Sequence, residues 1–202
     1  MLRTMHVATP AADAAMRAMF AARKQVFVDL LGWDLPVLAG RYELDQYDTR
    51  DARYLILSEQ GGDHLASARL LPTTKPHLLD SHFAILCDAP IPTGPTVYEI
   101  TRFCLGRGIS AARRRVARDQ LVLGLVDFAL ENGITTYTGV AEPGWLSQIL
   151  AFGWDCMPLG EPKTIDGMML AALRIEITPE TPAILARAGV IKAHVCACAE
   201  AA

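Results

Sequence analysis

The sequence predicts a single α/β domain in which a mixed sheet is covered by helices. Apolar residues recur at helical spacing in two long segments, 11–31 and 113–131. Short runs rich in β-branched and aromatic residues, as expected of strands, lie between and around these segments. The 202 residues hold no internal repeat and no flexible linker that would divide them. One domain of residues 1–190 is therefore predicted, followed by a flexible C-terminal tail of residues 191–202.

The beginning of the chain predicts a strand, a long helix and an irregular loop. Residues 3–8 form the strand. Thr9 can cap the helix and Pro10 can begin it, because the missing N–H of proline costs little at the first helical position. Gly32 ends the helix. Segment 33–50 has no sustained period and many charges, which is typical of a long loop that carries function.

The rest of the chain alternates strands with helices. Two strands joined by the turn signal Gly61-Gly62-Asp63 come first, and a proline-rich segment with one short helix follows. The second long helix stops at Asn132-Gly133, a C-terminal signal. The predicted strands are 53–58, 64–71, 97–105, 134–140 and 166–177, and the predicted helices are 113–131, 145–153 and 179–188.

Strand 97–105 carries two charged residues inside an apolar run. Strict alternation divides this strand into two faces, one with Glu99, Thr101 and Phe103 and the other with Ile100, Arg102 and Cys104. Charged side chains are costly in such a strand unless they are paired or turned to a cleft. Arg69 lies inside an earlier strand pattern, and Arg23 shares a helix face with Phe27.

An acidic run precedes the strand at 53–58. Asp45 and Asp48 stand three residues apart, with Glu43 close by. Together with the arginines they allow two interpretations. One is a buried ion-pair network that fixes the loop against the sheet. The other is a cleft in which arginines hold an anionic substrate while a partly buried glutamate serves as base. The spacing of the residues alone leaves both interpretations open.

Four arginines crowd the first turns of the second long helix, where cations oppose the helix dipole. They are Arg113, Arg114, Arg115 and Arg118. A solvated helix face and a patch for an anionic or phosphate-bearing partner are both compatible with this pattern.

Composition excludes several classes of protein. Apolar residues make up 51% and charged residues 20%, which is ordinary for a soluble globular chain. The net charge of −3 argues against nucleic-acid binding as the main role. No apolar run reaches the roughly 18 residues that span a bilayer. The N-terminus also lacks the apolar core of a signal peptide, so a cytoplasmic protein is expected.

Motifs of several cofactor and metal sites are absent from the sequence. It has no phosphate-binding loop, no dinucleotide-binding glycine pattern and no His-Glu-x-x-His motif. The five cysteines are odd in number and scattered, which does not indicate a disulfide framework, and Cys196-Ala-Cys198 lacks the second pair of a metal site. The histidines also occur singly. No cofactor and no metal are predicted.

Five stretches of the sequence carry an ordered set of charged and aromatic residues. The stretches are ARKQVFVDLLGWDLP, ELDQYDT, SARLLPTTKPHLL, DSHF and YEITRF. The residues are Arg23, Phe27, Trp33, Asp45, Asp48, Arg69, Glu99 and Arg102, with Phe83 at a further aromatic position. This set resembles the signature of the acyl-homoserine-lactone synthase (autoinducer synthase) family.

The resemblance implies both a fold and a reaction. The fold is a three-layer α-β-α sandwich with a mixed central sheet, similar to the GNAT N-acetyltransferases. The substrates are S-adenosylmethionine and an acyl thioester carried by acyl carrier protein or coenzyme A, without a further cofactor. The amine of S-adenosylmethionine is acylated. Its carboxylate then attacks its own γ-carbon and expels methylthioadenosine, which leaves a quorum-sensing signal.

The resemblance also implies roles for particular residues. Glu99 is the candidate base, and the other expected catalytic residues are Arg102, Arg69, Asp45 and Asp48. The residues expected to bind S-adenosylmethionine are Arg23, Phe27, Trp33, Asp45 and Arg102. The acyl pocket is expected to contain Phe83, Phe103, Leu123, Thr138 and Val140. The patch expected to bind the carrier is formed by Arg113, Arg114, Arg115 and Arg118.

Two other functions compete with this one. An ordinary acetyltransferase that uses acetyl-coenzyme A carries an Arg/Gln-x-x-Gly-x-Gly/Ala loop before the second long helix, and LGRGISAARRR matches that loop poorly. A non-catalytic ligand-sensing domain with the same fold predicts loss of Glu99 or Arg102, and both residues are present.

Overall fold

The computed structural model describes residues 2–5, 10–59 and 62–190. The strands are β1 (Leu2–Met5), β2 (Val37–Leu38), β3 (Tyr42–Glu43), β4 (Arg53–Ser58), β5 (His64–Pro72), β6 (Val97–Leu105), β7 (Thr136–Ala141), β8 (Cys156–Pro158), β9 (Lys163–Ile165) and β10 (Met168–Glu176). The α-helices are α1 (Pro10–Arg23), α2 (Leu78–Ser81), α3 (Ala111–Asn132), α4 (Pro143–Ala151) and α5 (Thr181–Arg187).

Eight of these strands form one mixed sheet in the order β1-β4-β5-β6-β7-β10-β8, with β9 paired to β10. The neighbours β6 and β7 are parallel, and the other paired strands of this sheet are antiparallel. The strands β2 and β3 form a separate two-stranded hairpin. The predicted mixed α/β fold is therefore confirmed.

The helices α1 and α3 cover opposite faces of the sheet. On one face, Met16 and Met19 of α1 pack against Tyr54 and Ile56 of β4. The other face is covered by α3, whose Leu121, at 0% exposure, belongs to the main core cluster. Burying apolar side chains on both faces stabilises the layered arrangement by about 25 cal/mol for each Å² removed from water.

Several predicted boundaries differ from the structure. The first long helix ends at Arg23 and continues as a single π-helical turn over Lys24–Val28, in which the N–H of Asp29 donates to the carbonyl of Lys24 (3.0 Å). The predicted loop 33–50 contains the β2–β3 hairpin, and the sequence also gave no sign of β8 or β9. The capping residue Thr9, the end of the predicted strand 3–8 and the predicted tail 191–202 lie outside the described residues.

A β-bulge divides β6 and overturns the predicted alternation of its faces. Ser67 pairs with Cys104 and Arg69 pairs with Thr101, so one residue of β5 opposes two of β6, Arg102 and Phe103. Arg102 has a left-handed backbone conformation, with φ of 50°. Beyond the bulge, Phe103 packs on the α3 side and Cys104 packs on the α1 side, near Phe27.

The parallel strands β6 and β7 separate at the middle of the sheet. They pair from Val97–Thr136 to Ile100–Gly139, and beyond this pair both strands continue without pairing to each other. The bulge begins two residues after Ile100, and bulges bend the strand that carries them. A cleft therefore opens through the sheet, between the α1 side and the α3 side.

Across the residues that the structure describes, no helix combines the length and apolar character needed to cross a bilayer.

Candidate active site

A cavity of about 990 Å³ passes through the cleft between β6 and β7. The backbone from Ile100 to Phe103 forms one wall, and Gly139 to Ala141 form the other. Aromatic side chains line both ends: Phe27, Trp33 and Tyr47 on the α1 side, and Trp145, Phe152 and Trp154 on the side of α3 and α4. The volume is sufficient for a drug-sized ligand or two smaller groups that meet at the sheet.

A network of three arginines and three carboxylates supports the α1 side of this cavity. Arg23 is 1% exposed, and its Nε donates to Glu43 Oε2 (2.5 Å). Its two terminal nitrogens bind both oxygens of Asp48 (2.8 and 2.9 Å). Bidentate pairing of this kind fixes the orientation of both side chains.

The second arginine, Arg69, is also buried and joins the loop to the sheet. Two of its nitrogens bind both oxygens of Asp45 (2.6 and 3.0 Å), and one of them also lies 2.9 Å from Asp48 Oδ1. Its Nε donates to the hydroxyl of Thr101 (2.9 Å). All three guanidinium nitrogens of Arg69 therefore have protein partners.

The third arginine, Arg102, differs because one nitrogen stays available. Its Nη2 donates to Glu43 Oε1 (3.1 Å) and Asp45 Oδ2 (2.8 Å), and its Nε donates to Glu43 Oε1 (3.2 Å). Within the described residues, Nη1 donates no hydrogen bond. Arg102 lines the cavity, and its guanidinium lies 5.7 Å from the centre of the Phe27 ring.

The network contains three positive and three negative side chains, and their hydrogen bonds and charges shift the pKa values of Arg23 and Asp48. Burial lowers the pKa of Arg23, but its hydrogen bonds to Asp48 and Glu43 outweigh burial, so the pKa is raised. Burial raises the pKa of Asp48, yet the hydrogen bond and charge of Arg23 and the charge of Arg69 bring this pKa well below its ordinary value. Arg23 and Asp48 therefore both remain charged at neutral pH.

A tight turn in the loop aims both aspartates at the arginines. The N–H of Tyr47 donates to Asp45 Oδ1 (2.8 Å), and the N–H of Asp45 donates to Asp48 Oδ2 (2.9 Å). Side-chain to backbone bonds of this type favour turns over helix or strand. The hydroxyl of Tyr54, on β4, also donates to Asp48 Oδ1 (2.8 Å).

Glu99 lies on β6 at the edge of the cavity, next to the point where the strands separate. It is 1% exposed, and its two oxygens accept the N–H groups of Leu78 (2.8 Å) and Leu79 (3.1 Å) at the start of α2. Burial raises the pKa of Glu99 to about 7, although both N–H groups and the charge of Arg69 act in the opposite direction. A carboxylate with this pKa is suited to accept a proton near neutral pH.

Thr138 lies beside Glu99 on the neighbouring strand β7 and also lines the cavity. Its hydroxyl is buried and has no hydrogen-bond partner among the described residues. A buried hydroxyl without a partner is unfavourable, by roughly 1–3 kcal/mol. A ligand in the cavity would be in a position to bind this group.

The structure brings most of the predicted site residues to one cavity. Those that line it are Phe27, Trp33, Asp45, Phe83, Glu99, Arg102, Phe103, Thr138 and Val140. The rings of Phe27 and Trp33 are stacked, with centroids 5.0 Å apart. Arg23, Arg69 and Asp48 do not line the cavity, because they are enclosed behind its wall in the ion-pair network.

The prediction that Leu123 lines the acyl pocket is wrong. On α3, Val122 and Leu125 face the cavity, whereas Leu123 packs in the core. A helix turns by about 100° for each residue, so neighbouring positions face different surroundings. The apolar pattern of α3 showed which residues are buried but not which of them face an empty space.

The predicted arginine patch is only partly free. Arg118 binds Asp119 (2.7 Å) and lies over the Phe152 ring, and Arg113 forms an ion pair with Glu59. Arg114 lines the cavity, and its side chain donates to the carbonyl of Gly106 (3.3 Å). Arg115 is exposed. Of these four arginines, Arg114 therefore lines the cavity, whereas Arg113 and Arg118 are paired with carboxylates.

Sequence reasoning missed several residues of this site. Glu43 is 0% exposed and bridges Arg23 to Arg102, but it was noted only as a neighbour of the aspartates. Its position in the acidic run was the available signal. The aromatic residues Phe152 and Trp154 had no such signal, because an apolar side chain gives the same sequence pattern in a packed core and at the wall of a cavity. No cluster of three or more potential metal ligands occurs in the described parts of the chain.

This fold and this cavity define the class of protein. A mixed sheet covered by helices, with two parallel strands that separate at its middle, has the architecture of a GNAT-like acyltransferase fold. A putative N-acetyltransferase from Lactobacillus plantarum, 20% identical, has the same fold, with a TM-score of 0.56 over 88% of this chain and 99% of that one.

Comparisons with closer proteins identify the family. The autoinducer synthase family model matches residues 9–184. The acyl-homoserine-lactone synthase of Ralstonia nicotianae is 34% identical over 180 residues, which cover 86% of this chain and 87% of that protein. The structure of BjaI, a CoA-dependent acyl-homoserine lactone synthase solved with SAM and isopentyl-CoA, is 28% identical, with a TM-score of 0.83 over 94% of this chain and 89% of that one.

The chain belongs to the autoinducer synthase family. The family, the GNAT-like fold and the acyltransferase activity that the sequence predicted are confirmed.

Proposed function

We propose that this chain joins an acyl thioester to S-adenosylmethionine in the cavity between β6 and β7, with Glu99 as the general base. One observation carries the proposal: Glu99 is a buried carboxylate at the edge of the cavity, beside the point where the strands separate. The family membership of the chain supports the reaction, and the geometry supports the assignment of its parts.

The first step forms an amide. Glu99, directly or through one water, accepts a proton from the ammonium of S-adenosylmethionine, because only the free amine is a nucleophile. The amine nitrogen attacks the thioester carbonyl, and the carbon–sulfur bond breaks. The departing thiolate takes the proton that the new amide nitrogen loses, and the carrier leaves as the thiol. The backbone of β6 and β7 beyond Ile100–Gly139 is no longer paired between the strands, so its N–H groups are candidates to stabilise the oxyanion.

The second step closes the lactone. The carboxylate oxygen of the acylated S-adenosylmethionine attacks its own γ-carbon. The bond from this carbon to the sulfonium breaks, and its electrons stay with the sulfur as methylthioadenosine leaves. The bond breaks readily because the positive sulfonium makes the thioether a good leaving group. The step consumes no further reactant. The products are an acyl-homoserine lactone, methylthioadenosine and the free thiol.

The α1 side of the cavity suits S-adenosylmethionine. Arg102 offers its Nη1 to the carboxylate, while the stacked rings of Phe27 and Trp33 offer apolar and π faces to the sulfonium or adenine. Arg23, Arg69 and Asp48 act as positioning residues, because they hold Asp45 and Arg102 in place without lining the cavity.

The α3 side suits the acyl chain. It is lined by Phe103 and Trp145, whose rings lie 4.9 Å apart, and it ends near Phe152 and Trp154. Phe83 and Val140 line the cavity from the α2 side. The free hydroxyl of Thr138 is available to a polar group on the acyl chain.

The arginines at the start of α3 suit the carrier of the acyl group. Arg114 lines the cavity and Arg115, the next residue of α3, is exposed, so both can attract the phosphate of a pantetheine arm or an acidic protein surface. The BjaI structure with isopentyl-CoA supports coenzyme A as the donor. Acyl carrier protein as the alternative donor, a cytoplasmic location and the lack of a further cofactor stay predictions.

The test is direct analysis of the products. Purified protein is incubated with S-adenosylmethionine and a panel of straight, branched and aryl acyl thioesters, on coenzyme A and on acyl carrier protein. Mass spectrometry then follows the homoserine-lactone fragment, and chromatography follows methylthioadenosine. We expect equal amounts of both products with at least one donor and much less of both with Glu99→Gln. Acylation of another amine, without release of methylthioadenosine, would contradict the proposal.

A further inference from the structure

His77 lies immediately before the two amides that hold Glu99. It is 0% exposed and directly precedes α2. The N–H of His77 donates to Asp80 Oδ1 (3.1 Å), and its ring Nδ1 lies 2.9 Å from the carbonyl oxygen of Lys75. Because a carbonyl can only accept a hydrogen bond, Nδ1 carries the proton. His77 therefore fixes the turn before α2 by hydrogen bonds in both chain directions.

Packing alone does not account for a histidine at this position. Its other ring nitrogen, Nε2, is buried and has no partner among the residues that the structure describes. A buried nitrogen without a partner lowers the free energy of unfolding by roughly 1–3 kcal/mol, and an apolar ring of similar size would avoid this loss. What histidine adds is the hydrogen bond from Nδ1 to Lys75, which holds the turn in one conformation.

We propose that His77 is a positioning residue, which orients the N–H groups of Leu78 and Leu79 toward the Glu99 carboxylate and so keeps the base ready to accept a proton. The proposal rests on the function proposed above for Glu99. It adds a residue that does not line the cavity but acts on the base through the backbone amides of the two residues that follow it.

The proposal predicts in which direction the titration of Glu99 moves when the turn is disturbed. Hydrogen bonds from N–H groups favour the charged form of a carboxylate. If the turn loosens, these bonds weaken, Glu99 holds its proton more tightly, and its titration moves to higher pH. Two other charged groups act on Glu99: Arg69 on β5, which favours the carboxylate, and Asp80 on α2, which opposes it. Nδ1 of His77 also lies 3.6 Å from Asp80 Oδ1, and both His77→Phe and His77→Asn lose the imidazole, so comparing these two variants cancels this effect on Asp80.

Two variants separate the hydrogen bond from the ring. His77→Phe keeps a ring of similar size but removes the donor to Lys75. His77→Asn loses the ring but places an N–H donor at the position of Nδ1. The full-length enzyme is labelled with ¹³C at the glutamate carboxyl carbon, and Glu99 is identified by the signal missing from Glu99→Gln. The pH titration of this signal reports the protonation of Glu99 in the free enzyme.

We expect H77F to move the titration midpoint of Glu99 upward by about one pH unit, and the acidic limb of kcat/KM to move in the same direction. H77N should stay near the wild type. His64→Ala serves as a control, because this histidine is also mostly enclosed but lies on β5 and bonds Ser67. It should leave the titration of Glu99 unchanged.

Three outcomes would overturn the proposal. They are an unmoved titration in H77F, an equal shift in H77F and H77N, and an equal shift in His64→Ala. If H77F does not fold, His77→Ala makes the same test with a smaller side chain. Failure of the proposed function would be seen in a different measurement, as full activity of Glu99→Gln. Failure of this inference would be seen in the pH titration of Glu99 in the free enzyme.

Discussion

Glu99 and Thr138 are neighbours across the parallel strands β6 and β7, one pair before these strands separate. The carboxylate of Glu99 accepts two backbone N–H groups, and the hydroxyl of Thr138 has no partner among the described residues. A buried carboxylate and a buried hydroxyl without a partner among the described residues thus lie at the same edge of the cavity. The first three predictions concern this pair.

Replacing Glu99 by glutamine should reduce turnover far more than it weakens the binding of S-adenosylmethionine. Glutamine keeps the size of the side chain but cannot accept the proton, so kcat should fall by about 10²–10⁴-fold. Release of methylthioadenosine gives kcat, and titration calorimetry gives the Kd. Glu161→Gln, at an exposed position, is the matched control. Turnover that stays at the wild-type level would falsify the assignment of Glu99 as base.

The same residue should link stability to pH. Burial raises the pKa of Glu99 from an ordinary value near 4.5 to about 7 in the folded protein. Between these values the folded protein keeps a proton that the unfolded chain releases. The contribution of Glu99 to the free energy of unfolding is therefore complete below pH 4.5 and is lost as pH rises through 7.

Urea denaturation of the wild type and Glu99→Gln at several pH values tests this linkage. The difference in free energy of unfolding, wild type minus variant, should decrease by about 3 kcal/mol between pH 4.5 and 7.5. A difference that is constant with pH would show that Glu99 titrates at its ordinary value in the folded protein.

Replacing Thr138 by valine should stabilise the protein by about 1 kcal/mol, because the buried hydroxyl lacks a partner. The matched control is Thr101→Val, which removes a hydroxyl that accepts from Arg69 Nε (2.9 Å) and should destabilise the protein. Thermal or urea unfolding measures both variants. Equal destabilisation by the two substitutions would mean that Thr138 also has a partner, such as a bound water.

Replacing Asp48 by asparagine should destabilise the protein by about 3–5 kcal/mol, since Arg23 and Arg69 would lose a buried counter-charge. Asp29→Asn is the same chemical change in the exposed ion pair with Lys24 and should cost less than about 1 kcal/mol. Urea denaturation at neutral pH gives both values. Similar losses for the two variants would show that the buried network does not depend on charge balance.

Replacing Arg102 by lysine should raise the Kd for S-adenosylmethionine by about tenfold or more. Arginine uses two of its nitrogens to bind Glu43 and Asp45 and keeps the third for the cavity. Lysine keeps the charge but has a single nitrogen, which cannot do both. Titration calorimetry measures the affinity, and Arg107→Lys, at an exposed position of the β6–α3 loop, is the control. An unchanged Kd would remove Arg102 from the list of groups that contact this substrate.

Part of the site could be predicted from local sequence alone. Glu99 and Arg102 stand out because charged residues are rare inside an apolar strand. The acidic run at Asp45 and Asp48 stands out because it ends just before a buried strand. These patterns require no knowledge of distant contacts, and they indicated buried ion pairs or a substrate cleft without choosing between them. The structure contains a buried ion-pair network and a cavity beside it, and Asp45 and Arg102 belong to both the network and the cavity wall.

Other features could not be predicted, because they depend on residues far apart in the chain. The bulge at Arg102 reverses the faces of Phe103 and Cys104, and it exists only where β6 pairs with β5. Likewise, Val122 rather than Leu123 faces the cavity because of how α3 is rotated against the sheet.

The sequence by itself determined the α/β class, the main strands and helices, and the set of charged residues that cannot be buried without partners. Those properties follow from local periodicity and from the cost of burying charge. Only the tertiary structure decided which partners meet. Arg102 contacts Glu43 across a separation of 59 residues, and Arg69 contacts Thr101 across 32. Such contacts depend on strand register, which a chain acquires only when its sheet has formed.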